Sequence, residues 1–244
     1  MNMEQRYLQA AALDLAAEAH SLLQGKENKE VEGVSENVWQ QEHAKVTEIK
    51  IMNQKGAKAM GRPIGSYITI DIPELRKDFT GYLLEPISAI LAKELKKLLP
   101  PKTAQQQQPI LVVGLGNFQT TPDALGPQTV AFTQPTYHFY QEAPMEEKKA
   151  ISPLCAIAPG VVGNTGIETA EIIKGVADNI NPCCLIIIDA LAAASITRIG
   201  TTIQISNTGI KPGSGISNHR HAIDETYMGA PVIAIGMPTI VHAG

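Results

Sequence analysis

Two aspartates sit where an α/β protein does its chemistry. Asp123 lies in Thr121-Pro-Asp-Ala-Leu-Gly-Pro127, boxed in by Pro122, Gly126 and Pro127. It follows the buried-strand pattern Ile110-Leu-Val-Val113 and the turn Gly114-Leu-Gly116. Asp189 ends a second apolar run, Cys184-Leu-Ile-Ile-Ile-Asp189. Ligands of open α/β sheets bind outside the carboxyl ends of the strands, so both acids are expected at one sheet edge. Two close carboxylates repel and keep one proton between them. One then serves as general acid and the other as general base for a water. That is the chemistry of acid-catalysed peptide hydrolysis. The structural alternatives stay open: Asp123 as a helix N-cap, Asp189 as a strand-end residue bonding a loop backbone.

Other chemistries fit less well. Gly114-Leu-Gly116 after a strand is the start of a dinucleotide fingerprint, but Gln119 stands where the third glycine belongs. No acidic strand end follows about 20 residues on to hold a ribose. Ser214, in Pro212-Gly-Ser-Gly-Ile216, lacks the glycine two residues upstream that a nucleophile elbow needs. Asn207-Thr-Gly209 carries an amide where an aspartic-protease motif carries an acid. His219 and His221 flank Arg220 in a polar turn, a spacing with no metal signature. Cys155, Cys183 and Cys184 are odd in number and match neither a disulfide framework nor a zinc site. They read as small apolar residues at strand starts.

The elements that must position the acids follow from periodicity. Residues 8–24 are expected to form a helix, Lys26–Glu36 a charged, poorly ordered segment, and Pro100–Pro109 a loop. Strands are expected at 46–51, 66–72, 110–113, 154–158, 184–189, 201–206 and 231–235. Helices are expected at 87–99, 124–133, 167–179 and 219–228, a short helix or turn at 55–61, and a Gly/Ser-rich loop at 209–218. The prediction is one α/β domain of three layers, a mainly parallel twisted sheet with helices on both faces.

The 244 residues suffice for a full core. With 18% charged residues, no apolar run reaches spanning length. The N-terminus lacks a signal peptide's apolar core, so a cytoplasmic protein is expected. A net charge of −4 gives no reason to expect nucleic acid as direct partner. The chain stops just after a strand and a Gly-Met-Pro turn, where such a domain normally adds a covering helix. A piece of a longer protein is therefore expected.

At these residues the chain resembles the germination proteases of spore-forming bacteria. The matching blocks include Asp14-Leu-Ala-Ala-Glu-Ala-His20, Gly65-Ser-Tyr-Ile-Thr-Ile70, Leu111-Val-Val-Gly-Leu-Gly-Asn117, Thr121-Pro-Asp-Ala-Leu-Gly-Pro127, Ile188-Asp-Ala-Leu-Ala192 and Pro231-Val-Ile-Ala-Ile-Gly236. The resemblance implies an aspartic-type endopeptidase, made as a zymogen, that degrades small acid-soluble spore proteins at germination. It implies a homotetramer in the forespore or spore core, no membrane partner and no cofactor. The family's catalytic aspartates fall on Asp123 and Asp189. A propeptide is expected over 1–13 and a single protease domain over 14–244. The chain departs from the family pattern at Ala12-Leu13-Asp14, Ala193-Ala-Ser195 and Asn207. A looser likeness links it to hydrogenase-maturation proteases, whose fold it is expected to share. Their acids hold a metal ion, so Asp123 and Asp189 as metal ligands is the alternative role; a non-catalytic sporulation protein that keeps the fold is the other alternative.

Overall fold

The computed structural model describes residues 13–25, 30–101, 108–211 and 221–241. Eight strands form one sheet: β1 (Val34–Gln41), β2 (Ala44–Ile51), β3 (Gly65–Asp71), β4 (Ile110–Gly114), β5 (Leu154–Ile157), β6 (Cys184–Ala193), β7 (Thr202–Ser206) and β8 (Val232–Val241). Their spatial order is β1-β2-β3-β7-β8-β6-β4-β5.

The expected parallel arrangement holds for half of this sheet. β8, β6, β4 and β5 run parallel. The pairs β1·β2, β2·β3, β3·β7 and β7·β8 are antiparallel. The sheet is therefore mixed and not mainly parallel, and the hydrogenase-maturation fold is not an established likeness. Connection length accounts for the direction of β7. A parallel crossover needs about a dozen residues or more, and the link from Ala193 to Thr202 is shorter than that. It holds only the 3-10 turn Ile196–Arg198, so β7 comes back antiparallel.

The β1·β2 hairpin adds the far edge, and its turn is tight. Gln41 pairs with Ala44, and His43 takes φ 67°, the left-handed position of such a turn. The segment expected to be poorly ordered is thus strand from Val34 onward, and 26–29 lie outside the described residues. Glu36, Asn37, Gln40 and their neighbours make a polar, half-exposed edge strand, whose pattern carries no apolar alternation.

Helices cover both faces. On one, the helix Leu84–Leu98 lays Ile87, Ile90 and Leu91 on Val46, Ile68, Ile70 and Ile203. The helix Leu125–Phe132 packs Leu125 and Val130 near Val112, Ile186 and Ile188. On the other, Thr169–Ile180 sets Ala170, Ile173 and Ala177 against Leu111, Val113, Leu185 and Ile187. There too, Ala16–Gln24 and Gln54–Met60 cover Ile49, Ile51 and Tyr67. Each such fully buried aliphatic side chain contributes roughly 1.5–3 kcal/mol. Among the described residues, no helix is long and apolar enough to cross a membrane.

The expected N-terminal helix begins only at Ala16, and residues 8–12 lie outside the described residues. Leu15 is extended, at φ −89° and ψ 122°. Two strands outrun their expected ends, β6 to Ala193 and β8 through Gly236-Met-Pro238 to Val241. They sustain each other: Ala190, Leu191, Ala192 and Ala193 pair with Met237, Pro238, Ile240 and Val241, with a bulge after Leu191.

Candidate active site

Three glycines seat the Asp123 turn. A Cβ on Gly114 would lie 2.1 Å from the carbonyl oxygen of Gly126, and one on Gly116 (φ 116°) would lie 2.0 Å from that of Asp123. A Cβ on Gly126 would lie 2.3 Å from the Leu115 oxygen and 2.6 Å from the Ile188 oxygen. Only glycine allows the backbone to close this far. The Gly-x-Gly signature thus serves backbone packing between β4, β6 and the turn.

Asp123 ends the 3-10 turn Thr121–Asp123, and its side chain does not cap the helix that follows. Its Oδ2 accepts the N–H of Asn117 at 2.9 Å, and its carbonyl accepts the same N–H at 3.1 Å. The Thr239 hydroxyl donates to the Pro122 oxygen at 2.6 Å and ties the turn to β8. The Asn117 side chain accepts the Gln119 N–H at 3.0 Å and lies 3.4 Å from the Asn164 amide nitrogen.

Asp189 was expected at a strand end and instead lies inside β6, because β8 extends the ladder beyond it. It is the first β6 residue past the last β4 pairing, Gly114 with Ile188. The side chain is 9% exposed, and Oδ1 accepts the N–H of Ala190 at 2.9 Å. Its ladder partner is Gly236, whose partner in β7 is Gln204, followed by Thr69 and Thr47. Register partners share a face, so a polar row crosses the sheet, flanked in β7 by Thr202 and Ser206. All its side chains are buried.

The N-terminal arm lies on that face. Gln204 receives the N–H of Ala16 at 2.7 Å and donates to the Asp14 oxygen at 3.0 Å. Asp14 Oδ2 accepts the N–H of Ala192 at 2.8 Å, and Glu18 Oε2 that of Ala194 at 2.9 Å. Arg198 reaches Glu18 at 3.3 Å and Asp71 at 2.7 Å. Arg62 donates to the Leu13 oxygen, and its buried Nε has no hydrogen-bond partner among the described residues. Burial lowers its pKa, and Tyr67 and Asp14 work against that shift. A cavity of about 230 Å³ opens here, lined in part by Asp14, Arg62, Gln204, Leu191 and Gly236. None of these residues stood out as chemistry in the sequence. Gln204 between Ile203 and Ile205 was the one available signal, because a buried amide needs partners.

The remaining candidates take structural places. Cys184 opens β6, fully buried, and burial foremost pushes its thiol to about 12. Cys155 lies in β5, its pKa also raised by burial. Neither offers a thiolate at neutral pH. The Asn207 side chain accepts the Ser66 N–H at 2.9 Å. His221 stacks on Tyr227 at 5.6 Å. Ser214 and His219 lie outside the described residues. Among the described residues, no three His, Cys, Asp or Glu side chains group as a metal site would.

A model of the germination protease family matches residues 10–244, a span that includes both aspartates. The chain is 46% identical over 231 residues to a germination protease of Clostridium perfringens, covering 94% of this chain and 70% of that protein. It is 47% identical over 230 residues to one of Clostridium tetani, with the same coverage. A germination protease of Bacillus cereus is 42% identical over 232 residues, 94% of this chain and 63% of that protein.

Proposed function

The chain belongs to the germination protease family, and from that premise we propose that it is an endopeptidase opening the degradation of small acid-soluble spore proteins, with Asp123 and Asp189 activating water. One carboxylate takes a proton from the attacking water while the other, protonated, gives its proton to the carbonyl oxygen; as the C–N bond breaks, the first passes its proton to the leaving amine and the second takes one back from the diol hydroxyl. The supporting observation is the shared anchorage of the two acids. Asp189 is the first β6 residue beyond β4, and the turn that carries Asp123 packs on β6 and β8 where β4 stops. The raised pKa values of Cys155 and Cys184 also speak against a thiol nucleophile.

The same reading makes the first 13 residues a removable propeptide, the active form a homotetramer, and the spore core its place of action. N-terminal sequencing of protein from germinating spores tests the propeptide, since an intact Met1 on fully active enzyme rules it out. Sedimentation of the mature form tests the tetramer. The central experiment is degradation of a purified small acid-soluble spore protein. If chelator silences the wild type and added metal restores it, Asp123 and Asp189 are metal ligands instead.

A further inference from the structure

The amides of β6 alternate between two neighbours. The N–H of Leu185 donates to Pro231 on the β8 side, so the even-numbered amides face the β4 side. β4 ends at Gly114, and the N–H of Leu115 donating to the Ile188 oxygen at 2.8 Å is the next rung. β6 continues five residues further, to Ala193. Beyond β4, three successive even-numbered amides end on carboxylates. Ala190 donates to Asp189 Oδ1, Ala192 to Asp14 Oδ2 and Ala194 to Glu18 Oε2, at 2.9, 2.8 and 2.9 Å. Two of these acids come from the N-terminal arm, 178 and 176 residues away in the chain.

Aligned donors along a sheet edge form a template for an extended chain. Resting on the peptidase reading, we propose that the β6 edge from Ala190 to Ala194 is the docking strand for the substrate's backbone. The peptide's carbonyls take the amides that Asp14 and Glu18 hold, so the arm Leu13–Glu18 competes with substrate. An extended peptide is the occupant that fits, for three reasons. The donors are backbone groups at alternate positions. The edge begins at Asp189 itself. The Asp123 turn packs where β4 leaves off. A strand added there passes both carboxylates, and backbone pairing holds its peptide bonds in a fixed register.

The test is a peptide cut from the substrate protein around its cleavage site, hydrolysed by the processed chain that lacks the first 13 residues. Single N-methyl groups are walked along its backbone. Docking to an edge predicts alternation. Ladder bonds run both ways, so methylation at every second residue removes an N–H that would donate to a β6 carbonyl and raises KM roughly tenfold for each bond lost, and the interleaved positions leave KM nearly unchanged. A flat series, or an effect confined to the scissile bond, overturns the proposal. If the unmethylated parent is not cut at all, the peptidase reading fails and the docking strand falls with it. The competition has its own readout. The same peptide, bound to an Asp123→Asn chain that cannot cut it, should speed hydrogen exchange at residues 14–18. Unchanged exchange there means that the arm and the substrate do not share the edge.

Discussion

Asn117 and Asp123 are joined twice by one amide, which donates to Asp123 Oδ2 at 2.9 Å and to the Asp123 carbonyl at 3.1 Å. The glycine turn thereby holds a carboxylate in place, and Asp189 is held likewise by the amide of Ala190. If the two acids act as one unit, removing either removes the unit. Asp123→Asn, Asp189→Asn and the double variant should be inactive to a similar degree, each more than about 10³-fold below wild type in kcat. The check is turnover of a purified small acid-soluble spore protein. Near-normal turnover in either single variant sinks the dyad.

Gly126→Ala tests the seating of the turn. Its Cβ would press on the backbone oxygens of Leu115 and Ile188, which belong to β4's exit and to β6. We expect a loss of about 1–3 kcal/mol in stability, as for overpacking elsewhere, and a lower kcat from a displaced Asp123. Gly163→Ala is the control, because nothing lies within 4 Å of its Cβ. Its stability should stay within about 0.5 kcal/mol of wild type. Urea melts and initial rates on both variants decide the matter.

Arg198 fastens the N-terminal helix to β3 through Glu18 and Asp71. Glu18 is only 8% exposed and also accepts the Ala194 N–H. Removing the guanidinium leaves two carboxylates short of a partner. Arg198→Ala should cost about 2 kcal/mol, in line with hydrogen bonds to charged groups. It should also free residues 13–24 for proteolysis before the sheet unfolds. Equal proteolysis of that segment in wild type and variant would count against this role.

His20 makes stability depend on pH. It is 3% exposed, and its Nδ1 has no hydrogen-bond partner among the described residues. Burial lowers its pKa, partly opposed by Glu36 at 3.7 Å. The unfolded chain then binds a proton at about pH 6.5, and the folded chain only at lower pH. The contribution of His20 is therefore complete above about pH 6.5. It declines as pH falls through the window down to the folded value. Urea midpoints from pH 8 to 5 should fall on the acid side, and His20→Gln should flatten that slope. An unchanged slope in the variant removes His20 from the account.

Local pattern alone determined much of this protein. Runs of Ile, Val and Leu with no polar interruption mark β4 and β6 as strands buried on both faces, whatever the rest of the chain does. Glycines at 114, 116 and 126 around a Pro-Asp pair mark a tight turn carrying an acid, because each needs close backbone approach. The turn that carries Asp123 and the strand that carries Asp189 were legible for that reason, as were the burial of Cys184 and the helix Leu84–Leu98. Tertiary structure decided what depends on partners distant in the chain. Strand direction in the β1–β3 and β7 half follows from the short β1–β2 and β6–β7 connections and from edge pairing, which leave no periodic trace in polar strands such as β1. The length of β6 beyond Asp189 depends on β8, which is about 50 residues later in the chain and supplies the ladder. The extended start of the N-terminal arm depends on Gln204, nearly two hundred residues on, whose side chain takes the hydrogen bonds that would otherwise favour helix at Asp14. A propensity is summed over neighbours in sequence, whereas these hydrogen bonds form only once the sheet has brought β6, β7 and the arm together.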